Sequence, residues 1–187
     1  MSATDEDLVR QAKGGDRTAF EELVRRTSRL AFARLFLETG DAHRTEDLLQ
    51  ETLLLAYRSL GQLADPAGFR PWLLTIAQNV LTDAARREAR LKRAAPPRAD
   101  TPLTAVPANA PPPEEEVQRA ELRERVLAVL RSLPEEYRLP LTLRYLAGAD
   151  YETISTQLRL TNGSLRGLLH RGQKMLRARL PEFGGGD

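Results

Sequence analysis

The chain has 187 residues, 41% of them hydrophobic and 29% charged, with a formal net charge of +2. That length suits one ordinary domain or two small ones, and the composition is that of a folded protein. The absence of cysteine excludes disulfides, and with only His43 and His170 a zinc site is not expected. No apolar run approaches the roughly 18–20 residues of a membrane span. An N-terminus carrying Asp5, Glu6 and Asp7 is no signal peptide, so a cytoplasmic protein is expected. The sequence offers no phosphate loop, no metal-ligand cluster and no nucleophile–base set, so neither a cofactor nor an enzymatic activity is expected.

In chain order, Asp16 is an N-cap candidate, followed at helical spacing by Phe20, Leu23, Val24, Thr27, Leu30 and Ala31, with Gly40 as the stop. Thr45 can cap the next helix, whose core face is Leu48, Leu49, Thr52, Leu53, Ala56 and Leu60. Asp47, Gln50, Glu51, Leu54 and Arg58 form the opposite stripe. Gly61 to Gly68 reads as a loop. Pro71 suits the first turn of a third helix carrying Trp72, Ile76, Val80 and Ala84.

The sharpest break runs from Ala94 to Glu116, where proline recurs at 96, 97, 102, 107 and 111–113. Such a stretch is extended, and its 23 residues could span roughly 70 Å. Beyond it, Val117 to Leu133 reads as a helix stopped by Pro134. Glu135 to Leu146 reads as another, with Pro140 in or near its first turn, and Gly148 breaks the chain. Tyr151 to Leu158 and Thr161 to Leu180 complete a pair of helices with a very short turn between them. No strand pattern competes. The fold class expected is all-α: two small helical domains, 1–93 and 117–187, joined by a Pro-rich linker, 94–116, the second domain a helix-turn-helix.

Charge is unevenly divided. Residues 1–95 carry a net +1, residues 96–116 a net −3 and residues 117–187 a net +4. Arg159, Arg166, Arg171, Lys174, Arg177 and Arg179 lie on one segment that holds no acid, a candidate phosphate-facing surface. Ile154, Leu158, Leu160, Leu165 and Leu169 would hold the last two helices together, with Ser155 small at the crossing. Ser164, Arg166, His170, Arg171 and Lys174 are left facing outward, where a major groove could receive them.

The segment from Ser132 to Arg177 resembles region 4 of the extracytoplasmic-function sigma factors, the sigma-70-type subunits of bacterial RNA polymerase. The matching positions are Leu133-Pro134, Arg144, Tyr151-Glu152 and the run Gly163 to Gly172. By that resemblance Arg144, Arg166, His170 and Arg171 contact the −35 promoter element, and Ser164 and Lys174 on the same outward face are expected to join them. Gly167, Leu168 and Gly172 depart from the family pattern. A glycine inside a helix costs about 1 kcal/mol, so a weaker recognition helix is expected.

The first half carries the more specific likeness. TEDLLQETLLLAYRSL resembles the region 2 helix that docks on core polymerase, which implies polymerase contacts for Asp47, Gln50, Glu51, Leu54 and Arg58. FRPWLLTIAQNVLTDAARREARLKR resembles the segment that melts and reads the −10 element, with Gln78 where arginine is usual. The loop before it corresponds to one that captures a flipped base. The resemblance thus assigns −10 DNA to Leu63, Ala64, Asp65, Asn79, Asp83, Arg86, Arg87 and Arg90, while Trp72 and Ile76 are expected in the core. The implied partners are core RNA polymerase, promoter DNA and an anti-sigma factor. The alternative is a helix-turn-helix regulator that binds duplex DNA without polymerase, which leaves the first half unexplained.

Overall fold

The computed structural model describes residues 3–94 and 127–179. The Pro-rich linker and most of the helix expected from Val117 lie outside them. Among the described residues there is no strand, and the all-α reading holds. Helix α1, Asp5–Lys13, was not anticipated. It is set by a capping box: Asp7 N–H donates to Thr4 Oγ1 at 3.2 Å, and Thr4 N–H donates to the Asp7 carboxylate at 3.1 Å. Helix α2, Arg17–Thr39, starts as expected at Asp16, whose carboxylate accepts from Thr18 and Ala19 N–H. It ends at Gly40, whose φ of 67° closes the last turn onto Phe36 O.

Helix α3, Ala42–Ser59, corrects one expectation. Its cap is Asp41, which accepts from Arg44 N–H at 2.7 Å. Thr45 lies a turn inside, buried, with its hydroxyl donating back to Asp41 O. An aspartate just after the left-handed glycine reaches the free N–H groups first, and a threonine one turn on falls back to the preceding carbonyl. Two short 3-10 turns, Leu60–Gln62 and Pro66–Gly68, occupy the expected loop. Helix α4, Phe69–Ala94, follows, with Pro71 in its first turn. Val80 and Ala84 are buried as expected, but Trp72 and Ile76 are only half-buried, and Leu73, Leu74 and Ala77 lie deeper.

The second module begins, among described residues, with helical residues 127–132 (α5). Helix α6, Glu135–Leu141, then runs into a π-helical turn, Thr142–Leu146. Pro140 stands in the second turn of α6, not in or near its first. Its missing N–H and its ring break the regular ladder, which reopens as the wider Ala147 N–H to Thr142 O bond at 3.1 Å. Helix α7, Tyr151–Leu158, ends on Arg159 at φ 53°, and α8, Asn162–Arg179, starts where Thr161 Oγ1 accepts from Ser164 N–H. This pair is the expected helix-turn-helix.

The two modules share a core. Leu30 and Leu37 of α2 and Leu74 of α4 belong to one buried cluster with Leu130, Leu133, Leu141, Leu143, Ile154 and Leu165 of the second module. Helix α4 packs on α7, and α2 on the π turn. Arg131 reaches across to cap α2, donating to Leu37 O at 3.0 Å and Phe36 O at 3.3 Å. A cation at the end of a helix is favoured by the free carbonyls and the helix dipole. Gly40 makes room for that guanidinium, because a Cβ there would overlap it.

Gly172 has a packing role that its place in the sequence pattern hides. It is buried, and a Cβ would lie 3.0 Å from Leu141 Cδ1 and 3.3 Å from Tyr137 Cβ, so α6 and α8 touch through it. A Cβ at Gly167 would meet only the end of the Arg171 side chain, at 3.4 Å. Gly172→Leu is therefore expected to destabilise the chain by about 2 kcal/mol through overpacking, whereas Gly167→Ala gains up to ~1 kcal/mol of helix propensity. Urea unfolding of the two variants checks this, and the same sign for both would contradict it.

Candidate nucleic-acid and polymerase surfaces

Helix α3 turns Leu48, Thr52 and Ala56 inward, so its other face is free. Asp47, Gln50, Leu54 and Arg58 are exposed there and Glu51 is half-buried. The face is more apolar than the stripe alone suggests, with Leu54 56%, Tyr57 49% and Leu55 41% exposed. Phe20 of α2 meets Tyr57 edge-on at 4.9 Å, and the two, with Val24, Leu53 and Leu54, line a shallow groove beside Gln50 and Arg17. A contiguous apolar patch of this kind marks an interaction surface. The signal was present in the sequence: Leu53-Leu54-Leu55 places apolar side chains well beyond one core face.

On α4, Asn79, Asp83, Arg86, Arg87 and Arg90 are exposed along one side. Arg87 bonds both carboxylate oxygens of Glu51, at 3.0 and 3.2 Å, and Arg44 pairs with Glu88. These exposed pairs cross between α3 and α4, whose packing is made by Leu48 against Ala77, Val80 and Ala84. A third tie is internal. Arg34 of α2 is 7% exposed and donates to Gln78 Oε1 and, at 3.1 Å, to Glu38. Burial pushes its pKa down while Glu38 opposes the shift. Gln78, the residue that departs from the family pattern on α4, is thus the acceptor for an arginine arriving from α2.

The expected −10 loop splits by role. The Leu63 side chain is in the core of the first module, and its carbonyl accepts from Lys13 Nζ at 2.8 Å. Ala64 and Asp65 are exposed, and Asp65 caps the following 3-10 turn by accepting from Ala67 N–H at 3.1 Å. Helix α1, unseen in the sequence, is what anchors this loop.

Ser164, Arg166, His170, Arg171 and Lys174 all face solvent on α8. Among the described residues, Arg166, Arg171 and Lys174 have no ion-pair partner, so their charge is available to phosphate. Leu168 is half-buried against the core. Arg144 lies apart from this face. It is half-buried, donates to Ala149 O at 2.9 Å and sits over the Tyr151 ring at 5.0 Å, bracing the turn into α7. Arg179 stays exposed but is engaged as well, donating to Ser132 Oγ at 2.8 Å.

Two exposed basic faces and an exposed apolar helix face on one all-helical chain suit a class of protein that joins DNA to a protein partner. Family models agree: Sigma-70 region 2 matches residues 19–91 and Sigma-70 region 4 matches residues 123–176. The chain is 31% identical over 182 residues to the RNA polymerase sigma-H factor of Pseudomonas aeruginosa, covering 92% of this chain and 91% of that protein. It is 33% identical to the sigma factor CarQ of Myxococcus xanthus, covering 91% and 94%. To the ECF sigma factor SigE of Mycolicibacterium smegmatis it is 34% identical, covering 87% of this chain and 63% of SigE. Among solved structures, CnrH in complex with the cytosolic domain of CnrY matches with a TM-score of 0.63 and 25% identity, over 96% of this chain and 98% of that one. Bartonella quintana RpoE, solved with the anti-sigma factor NepR, has the same fold at a TM-score of 0.59 and 18% identity, over 87% and 96%. The chain belongs to the sigma-70 family, in its extracytoplasmic-function group. It is a sigma factor, which binds RNA polymerase and directs it to promoters.

The free cations of α8 give a direct test. Arg171→Ala is expected to leave thermal stability unchanged, weaken promoter binding by the holoenzyme, and lower the slope of log affinity against log salt by about 1, the value for one lost phosphate contact. An unchanged slope in a salt titration would remove Arg171 from the interface.

Proposed function

We propose that the three surfaces divide the work of initiation. Asp47, Gln50, Glu51, Leu54 and Arg58 on α3 dock core polymerase, with the exposed Leu55 and Tyr57 widening the contact. The loop at Leu63, Ala64 and Asp65, with Asn79, Asp83, Arg86, Arg87 and Arg90 on α4, receives the −10 element. Helix α8, through Ser164, Arg166, His170, Arg171 and Lys174, reads the −35 element, and Arg144 supports it from the turn before α7. The domains are 1–93, 94–116 and 117–187. The observation that carries this reading is that the docking face and the −10 face lie on adjacent helices, tied by Arg87–Glu51, so that binding the polymerase aims the DNA-reading side of α4.

The chain catalyses nothing itself. Opening the −10 element costs stacking and pairing energy of a few kcal/mol for each base taken out, and a pocket that holds the extruded base offsets it. An exposed Asn79 amide can read a base edge, and the Arg86–Arg90 end can follow the strand backbone. The chain acts in the cytoplasm, and its regulator is an anti-sigma factor, a reading supported by Bartonella quintana RpoE, which was solved with the anti-sigma factor NepR.

Asp47→Ala with Gln50→Ala is expected to weaken core polymerase binding about tenfold, some 1.4 kcal/mol, with unfolding unchanged, because both side chains are outside the core. Titration against labelled core enzyme measures it. Unaltered affinity would overturn the docking assignment, and tight sequence-specific duplex binding by the free chain would favour an independent regulator.

A further inference from the structure

We propose that Gln78 is a specificity-determining residue of the −10 reading surface and that the buried Arg34 is its positioning residue. Arg34 holds the Gln78 amide in one polarity, oxygen inward and N–H outward, so that the amide reads a base as a donor only; this rests on the assignment of α4 to the −10 element made above.

A glutamine side chain ends in an acceptor and a donor, and a half-turn about its last bond exchanges them. Here the exchange is blocked. Arg34 reaches Gln78 from α2 and donates through Nη2 to Oε1. Turning the amide over would set its NH2 against a guanidinium that has only donors to offer. The nitrogen end is held as well. Nε2 lies 3.4 Å from Thr82 Oγ1, whose own hydrogen is donated to Gln78 O at 2.9 Å, so the hydroxyl accepts from the amide. The second hydrogen on Nε2 has no acceptor among the described residues.

Arg34 can hold this position because it is itself fixed. It is buried, and its Nη1 donates to Glu38 at 3.1 Å. Releasing the Gln78 oxygen would strand a buried donor, which disfavours the flipped amide. The same arginine gives a reason for the departure at position 78. An arginine there would set a second cation beside the first with no added carboxylate. In this chain the cation sits inside, on α2, and a neutral amide faces outward from α4.

The neighbours of Gln78 place it for base reading. It is exposed, it precedes Asn79, and Thr82 and Arg86 follow it one and two turns on along the same flank of α4. Gln78, Thr82 and Arg86 line a cleft of about 890 Å³ with Arg34 and Glu38, and Glu135 of the second module stands across it. A base edge arriving beside Asn79 meets the outward N–H. On its major-groove edge guanine shows N7 and O6 and thymine shows O4, all acceptors that suit a lone donor, whereas the amino group of cytosine opposes one. Adenine loses the bidentate pair to N6 and N7 that an unconstrained amide makes.

Holoenzyme reconstituted from core polymerase and the full chain provides the test, transcribing templates from its own run-off promoters with the −10 region randomised. The unaltered chain should favour guanine or thymine over cytosine at one position by about fivefold or more, the worth of one net hydrogen bond. Gln78→Glu keeps an acceptor for Arg34 but turns a second acceptor outward. It should reverse that preference toward cytosine or adenine at the same position, and because the side chain is exposed the variant should fold as before. Arg34→Leu lets the amide turn and should admit adenine there, while Arg34→Lys, which keeps a donor for Oε1, should preserve the original preference. A merely structural Arg34 would lower output for every base alike and leave the preference where it was. Loss of output in Gln78→Glu spread evenly over the bases would overturn the proposal, as would an Arg34→Leu preference identical to that of the unaltered chain. Asn79→Ala separates this from the underlying assignment. A profile changed by Asn79→Ala but not by Gln78→Glu sinks the role of Gln78 alone, and one changed by neither sinks the −10 assignment of α4 with it.

Discussion

The burial of Leu30, Leu37 and Leu74 under the second module is the contact on which the arrangement of the molecule depends. Covering an aliphatic side chain completely contributes about 1.5–3 kcal/mol, while an exposed ion pair contributes about 0–1 kcal/mol. The leucines therefore outweigh the partly exposed Arg70–Asp150 pair that also crosses between the modules, and Arg131 adds direction more than strength. Because α2 carries Leu30 and Leu37 on one side and Leu23 and Ala31 on another, it serves both cores at once. Helices α3 and α4 are positioned by it, and so is the second module.

That double use of α2 explains what the sequence could and could not reveal. Asp16 and Gly40 mark its ends because cap chemistry is local, and the helical spacing from Phe20 to Ala31 is legible for the same reason. Nothing in that spacing says which module covers Leu30. Thr45 looked like a cap because its type is right, but Asp41 is nearer the free N–H groups. Pro140 ends no helix here; it opens a π turn inside one, a choice made by the packing of the segment around it. Helix α1 was missed because only Leu8 and Val9 are buried in it, although Thr4 and Asp7 stood three residues apart as a capping signal.

The candidate surfaces follow the same rule. Exposed faces were readable wherever the opposite face was a clear core: the α3 stripe and the α8 set from Ser164 to Lys174 are where the periodicity put them. Residues whose backbone or neighbours claim them were not. The Leu63 side chain is core, Arg144 is committed to Ala149 O and Tyr151, and Gln78 answers an arginine 44 positions earlier. Gly172 is the sharpest instance. In isolation it weakens a helix, and in place it allows α6 and α8 to meet.

The proposed division of labour gives α3 to the polymerase, α4 with its loop to the −10 element and α8 to the −35 element. Genome-wide run-off transcription with core polymerase reconstituted with this chain tests that most directly. The account predicts a discrete set of RNA 5′ ends, absent with core alone, whose upstream DNA shares one −10 and one −35 motif at a fixed spacing. Transcripts indistinguishable from those of core enzyme alone would contradict it.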